Sequence, residues 1–213
     1  MAHAPPRPLR VGAEDAVDDG VVLAAEAGAV AAEVQLFGGG GEGGLLVANQ
    51  RKDVLATNAL ARALMAPMLD DPGNQNNLAR FTFFSPASRS FYPDWEQGAN
   101  SIVASLRTAA GRHPHDKNLT DLIGELVTRS NTFRLRWAAH DVRFHRSGTK
   151  RIHHPEVGDL EFTFEGLELP DQPGWMMFNY TAAAGSPTEE RIQLLGSLAA
   201  TRTREAAAVD LDT

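Results

Sequence analysis

Cysteine is absent from the 213 residues, which removes disulfides and thiolate-held metals from consideration. No apolar run approaches the ~20 residues that a membrane-spanning helix needs. The opening segment MAHAPPRPLR lacks the charged region and following apolar stretch of a secretory leader. Basic charge is scarce as well: 20 Lys and Arg face 27 Asp and Glu, a net of −7. Nucleic-acid binding draws much of its affinity from neutralised phosphates, so no direct nucleic-acid contact is expected from this chain. These absences leave a cytoplasmic globular protein without membrane association as the expectation. With 43% hydrophobic residues, the chain can bury one core of ordinary size.

The acidity is uneven. Residues 1–44 carry two basic side chains (Arg7, Arg10) and seven acidic ones (Glu14, Asp15, Asp18, Asp19, Glu26, Glu33, Glu42), so this segment holds most of the net charge. Its composition predicts a disordered or weakly ordered extension, with a marginal helix over 21–37 and a flexible glycine linker over 38–44. One domain is expected over 45–203, followed by a frayed tail over 204–213.

Within that domain, Leu45–Asn49 and Val54–Thr57 are short apolar runs around a polar turn, the pattern of a hairpin. Asn58 is placed to cap a helix whose Leu60, Leu64 and Met68 recur every four residues. The stretch Asp70–Asn77 (DDPGNQNN) is a loop by composition. A helical block follows, with stripes at Ile102, Val103, Leu106 and Ala110, at Leu119, Leu122, Ile123, Leu126 and Val127, and at Phe133 and Trp137. From Thr149 the period becomes two, giving strands at Thr149–His154, Leu160–Leu169 and Trp175–Ala182. Ser186-Pro187-Thr188-Glu189 announces a final helix: a Ser cap, Pro at the first position and Glu three residues on. Two strands, a helical block, three strands and a terminal helix predict an α+β fold. It is a PAS-like five-stranded antiparallel sheet with helices packed over one face.

The series Val54–Leu60, Asn77–Phe81, Tyr92–Trp95, Leu106-Arg107, Leu126–Ser130, Phe133, Trp137, His140–Val142, Gly148, Lys150, His154–Gly158 and Tyr180–Ala182 resembles the ligand-binding domain of MmyB-like transcription regulators. The order and spacing hold from about Leu45 to Leu198. The resemblance implies a PAS-like sensor of an apolar small molecule, fatty acids being the leading class, within an XRE-family regulator. It departs at Thr57, where the family usually has Trp. It departs again at the N-terminus, where family members carry a helix-turn-helix of about 60 residues. The 44 acidic, glycine-rich residues here do not match one, which leaves a remnant, a misplaced start, or action in trans by dimerising with a full-length regulator.

Chemistry of other kinds finds little support. No GxSxG, P-loop or GxGxxG element is present in the right context, and no histidine pair has metal-ligand spacing. The His140-Asp141 pair has no nucleophile beside it. No catalytic residue, metal or cofactor is therefore expected, and His140 and His154 are read as structural. The expected cavity lining is Phe81, Phe84, Leu106, Phe133, Trp137, Phe162, Phe164, Met176, Phe178 and Tyr180, aromatic and Met residues suited to an adaptable apolar space. Arg80 is the expected partner for a ligand carboxylate, with Arg107 as the alternative. The competing expectation is a protein-interaction or dimerisation module with a solid core and no ligand.

Overall fold

The computed structural model describes residues 43–139 and 147–211. The extension expected over 1–42 and the His140-Asp141 pair lie outside the described residues. Five strands form one antiparallel sheet: β1 (Gly43–Ala48), β2 (Val54–Thr57), β3 (Ser147–His154), β4 (Gly158–Glu168) and β5 (Met176–Thr181), in the order β2-β1-β5-β4-β3. The period-two reading of β4 holds, with Leu160 and Phe162 buried while Glu161, Thr163 and Glu165 are exposed. Register sets the inner face, since Leu46 pairs with Phe178, Phe164 with Tyr180, and Lys150 with Phe162. Opposed residues in a ladder share a face.

β1 starts two residues before the expected domain boundary, so Gly43 and Gly44 are sheet, not linker. A Cβ on Gly43 would sit 2.8 Å from Asn179 Oδ1 and 3.2 Å from the Tyr180 carbonyl, and this close approach explains glycine there. The hairpin is tied to the first helix by Asn58. Its Oδ1 accepts from Ala61 N (2.8 Å) and Leu45 N (3.1 Å), and its Nδ2 donates to the Gly43 carbonyl (2.9 Å).

The helix expected through Leu60, Leu64 and Met68 is two helices, α1 (Ala59–Leu64) and α2 (Ala66–Leu69). Pro67 supplies no N–H to the Ala63 carbonyl, and the ladder breaks there. His154 Nε2 lies 3.3 Å from that carbonyl, while the Glu156 N–H donates to His154 Nδ1 at 3.3 Å. Both contacts suit the neutral imidazole with its proton on Nε2. Desolvation, the largest cause, also pulls the His154 pKa below its ordinary value. His154 is thus a structural residue, as expected.

The helical block comprises α3 (Leu78–Phe84), α4 (Ala87–Phe91), α5 (Trp95–Arg112), α6 (Lys117–Arg129) and α7 (Asn131–Ala139). Against the sheet's inner face, Phe81, Phe91, Tyr92 and Trp95 join Leu46, Ile152, Leu160, Phe162 and Tyr180 in the main core. A second core, made by helices alone, holds Val103, Leu106, Leu119, Leu122, Leu126 and Phe133. The last helix, α8 (Pro187–Leu211), is capped by Ser186, whose Oγ accepts from Glu189 N (3.2 Å). Ile192 and Leu195 of α8 enter the main core. The helix runs to Leu211, past the point where the sequence suggested fraying. No helix among the described residues is long and apolar enough to cross a membrane.

Candidate functional site

Where α3 and α5 face the sheet, packing fails to close and leaves a cavity of about 320 Å³. Phe164, Phe178 and Tyr180 of β4 and β5 form one wall. Opposite them, Gln97, Gly98, Ser101, Ile102 and Ser105 fall at the three- and four-residue spacing of a single helical face of α5. These side chains are mostly small, so α5 is in place but does not fill the gap. Leu78 and Thr82 of α3 contribute, together with Tyr92 from the α4–α5 corner. Among the described residues the space opens past Gln97, Gly98 and Ser147–Thr149, all exposed.

The α4–α5 corner is fixed by Trp95, whose indole N–H reaches both the Thr82 carbonyl and Ser88 Oγ at 3.1 Å. Tyr92 is held by the edge-to-face contacts its ring makes with Phe81 (5.8 Å) and Phe91 (4.8 Å). At the mouth Asp94 pairs with Arg151, Nε to Oδ2 at 2.7 Å, and the hydrogen bond to Arg151 holds its carboxyl below the usual range.

Two lysines line this cavity. Lys52 lies in the β1–β2 turn with φ 71°, its carbonyl accepting from Leu78 N (2.9 Å), and the residue is 4% exposed. Lys150 comes from β3 on the inner parity, with Ile152 and His154. Its Nζ stands 4.7 Å from the Tyr92 ring centre and 5.5 Å from that of Tyr180, within cation–π range of both. Burial lowers both ammonium groups to about 8. The same desolvation pushes the Tyr92 and Tyr180 hydroxyls upward.

Of the residues expected to line a cavity, Phe164, Phe178 and Tyr180 do so. Phe81 and Phe162 are fully packed in the main core, and Met176 is buried at the end of β5 without reaching the space. Leu106, Phe133, Trp137 and Phe84 belong to the second core or its edge, where Trp137 stacks on Phe133 (5.5 Å) and Arg129 lies over Phe84 (4.3 Å). Arg80 points away from the cavity and is paired with Glu125 through Nε (2.9 Å) and Nη2 (2.8 Å). Arg107 bonds the Trp137 carbonyl and lies 4.7 Å over that ring. Neither arginine faces the cavity.

The cations that line it are Lys52, Lys150 and, at the mouth, Arg151, which is paired with Asp94. Parity from Ile152 could have indicated Lys150, whereas a lysine in a polar turn, such as Lys52, reads as solvated. Among the described residues, no three His, Asp or Glu side chains gather in a metal-binding arrangement.

A family model described as MmyB-like transcription regulator ligand binding domain matches residues 40–195, well over half of the chain. No curated protein matches it.

Proposed function

The chain belongs to the MmyB-like transcription regulator ligand binding domain family, and from that premise we propose that its cavity takes up a fatty acid or similar apolar small molecule. The chain is a ligand-sensing regulatory domain by family. The cavity beneath Phe164 and Phe178 supports the finer reading, because it lies between α5 and the aromatic inner face of the sheet. A volume of about 320 Å³ is at the small end of ligand pockets, which run from ~300 to ~1,000 Å³. At ~30 Å³ per water-sized group it holds about ten such groups, the size of a medium acyl chain. Burying roughly ten CH₂ groups yields about 8 kcal/mol gross at ~0.8 kcal/mol each. That gross figure corresponds to about 1 μM, and ordering costs of a few kcal/mol move the net affinity toward the millimolar range.

The domain acts as a receptor without catalysis in this reading. Uptake controls transcription only if it favours one conformation over another. Pairing with a second copy or with a full-length XRE-family regulator would carry that bias to DNA. A solid interaction module, the competing reading, has the cavity against it. The test is native mass spectrometry of the purified protein with solvent extraction of co-purifying molecules. One apolar molecule per chain is expected. Empty protein that takes up no added fatty acid would remove the proposal.

A further inference from the structure

The outer face of the sheet, turned away from the cavity, is divided in two. Over β3 and β4 it is wet, with Thr149, Arg151, His153, Glu161, Thr163 and Glu165 all exposed. Over β1, β2 and β5 it is apolar, a cluster centred on Val47, Ala56 and Trp175 and flanked by Leu45, Leu169 and Met177. Leu167, opposite Met177 in the ladder, continues it and is 53% exposed. Every member of the cluster comes from a strand or from the β4–β5 connection, and no described helix contributes to it. An apolar sheet face is stable only against a second layer.

We propose that this layer is the chain's own segment over 21–37, laid along β1 as an amphipathic helix. Leu23, Ala27, Val30, Val34 and Phe37 recur there at alternating four- and three-residue spacing, one apolar stripe. Ala25 and Ala32 fall on the opposite side. Only residues 38–42, four of them glycine, separate the segment from β1. They reach about 17 Å when extended. Leu45 and Val47 stand two and four residues into β1, about 7 and 13 Å from its start, so a chain that turns back at the glycines meets them. A helix over 21–37 is about 25 Å long, against about 20 Å for the six residues of β1. Gly28 weakens that helix in isolation, and contact with the sheet supplies the stability it lacks. A second copy of the chain is the rival cover. A short flexible linker holds its segment at about millimolar effective concentration, so the attached segment prevails over a partner at micromolar concentration. In that position it withholds the face from a second copy.

The chain has no cysteine, so introduced pairs report this contact without background. Leu45→Cys or Leu167→Cys on the sheet is combined in turn with Val30→Cys or Val34→Cys in the stripe. Ala25→Cys and Ala32→Cys serve as controls. On mild oxidation, stripe positions should close a disulfide within one chain at least tenfold faster than the controls, for at least one sheet anchor. Equal rates for stripe and control positions, or disulfides that join two chains, would overturn the proposal. A second measurement uses the double variant Val30→Asp with Val34→Asp and dilute peroxide. Met177 on the outer face should oxidise at least fivefold faster than in the wild type, while Met68, 0% exposed in the main core, stays within about twofold. The Met68 rate shows that the domain remains folded. A Met177 rate that is unchanged, or that rises only as far as that of Met68, contradicts the proposal.

Discussion

Phe81→Ala is expected to destabilise the domain by about 3–5 kcal/mol, the range for removing a fully enclosed aromatic ring. Phe81 has no exposed surface and sits at the centre of the main core. Its ring meets Phe91 at 5.6 Å and Tyr92 at 5.8 Å, both nearly perpendicular. Edge-to-face pairs of this kind add about 0.5–1.5 kcal/mol beyond the area they bury. A small domain has only about 5–15 kcal/mol in total, so the variant approaches the edge of folding. Urea unfolding followed by circular dichroism measures the loss, and a change under about 1 kcal/mol would show that the core is not built around this ring. Ligand affinity should fall in parallel, because Phe81 backs the Tyr92 ring that lines the cavity.

Asn77→Ala is expected to cost about 2–4 kcal/mol, more than an ordinary helix cap. The Asn77 oxygen accepts from Ala79 N (2.9 Å) and Arg80 N (3.0 Å), which caps α3. Its amide donates to the Arg51 carbonyl (2.9 Å) and Asp53 Oδ1 (2.7 Å), fastening that helix to the β1–β2 turn. A cap alone contributes ~1 kcal/mol. Stranding further partners around a site with no exposed surface adds ~1–3 kcal/mol. The same turn carries Lys52, so loosening it should also disturb the cavity. A loss of only a few tenths of a kcal/mol by chemical denaturation would mean that the turn is held elsewhere.

Strand parity, turn composition and capping residues are local, and they made much of the fold legible. Asn58 caps as its position before Leu60 suggested, and Ser186-Pro187 opens α8. Phe178 and Tyr180 share one parity in β5, and both reach the cavity. Which other aromatics would reach it was not legible, because an aromatic at helical spacing looks the same in either of two cores. Phe133 and Trp137 went to the core formed by helices alone. The direction taken by Arg80 was hidden for a related reason. Arg80 precedes an apolar run in sequence, yet α3 turns it toward Glu125 on α6, 45 positions away. The polar lining from α5 was hidden as well, since Gln97, Ser101 and Ser105 form an unremarkable hydrophilic stripe until the sheet is set opposite.

The most direct test of the ligand-sensing account is calorimetric titration of delipidated protein with decanoate at several temperatures. The account predicts saturation at one ligand per chain, a Kd between about micromolar and about millimolar, and a binding enthalpy that becomes more negative on warming as apolar surface is buried. Absence of saturable heat at every temperature would contradict it and leave a domain whose cavity takes no acyl ligand.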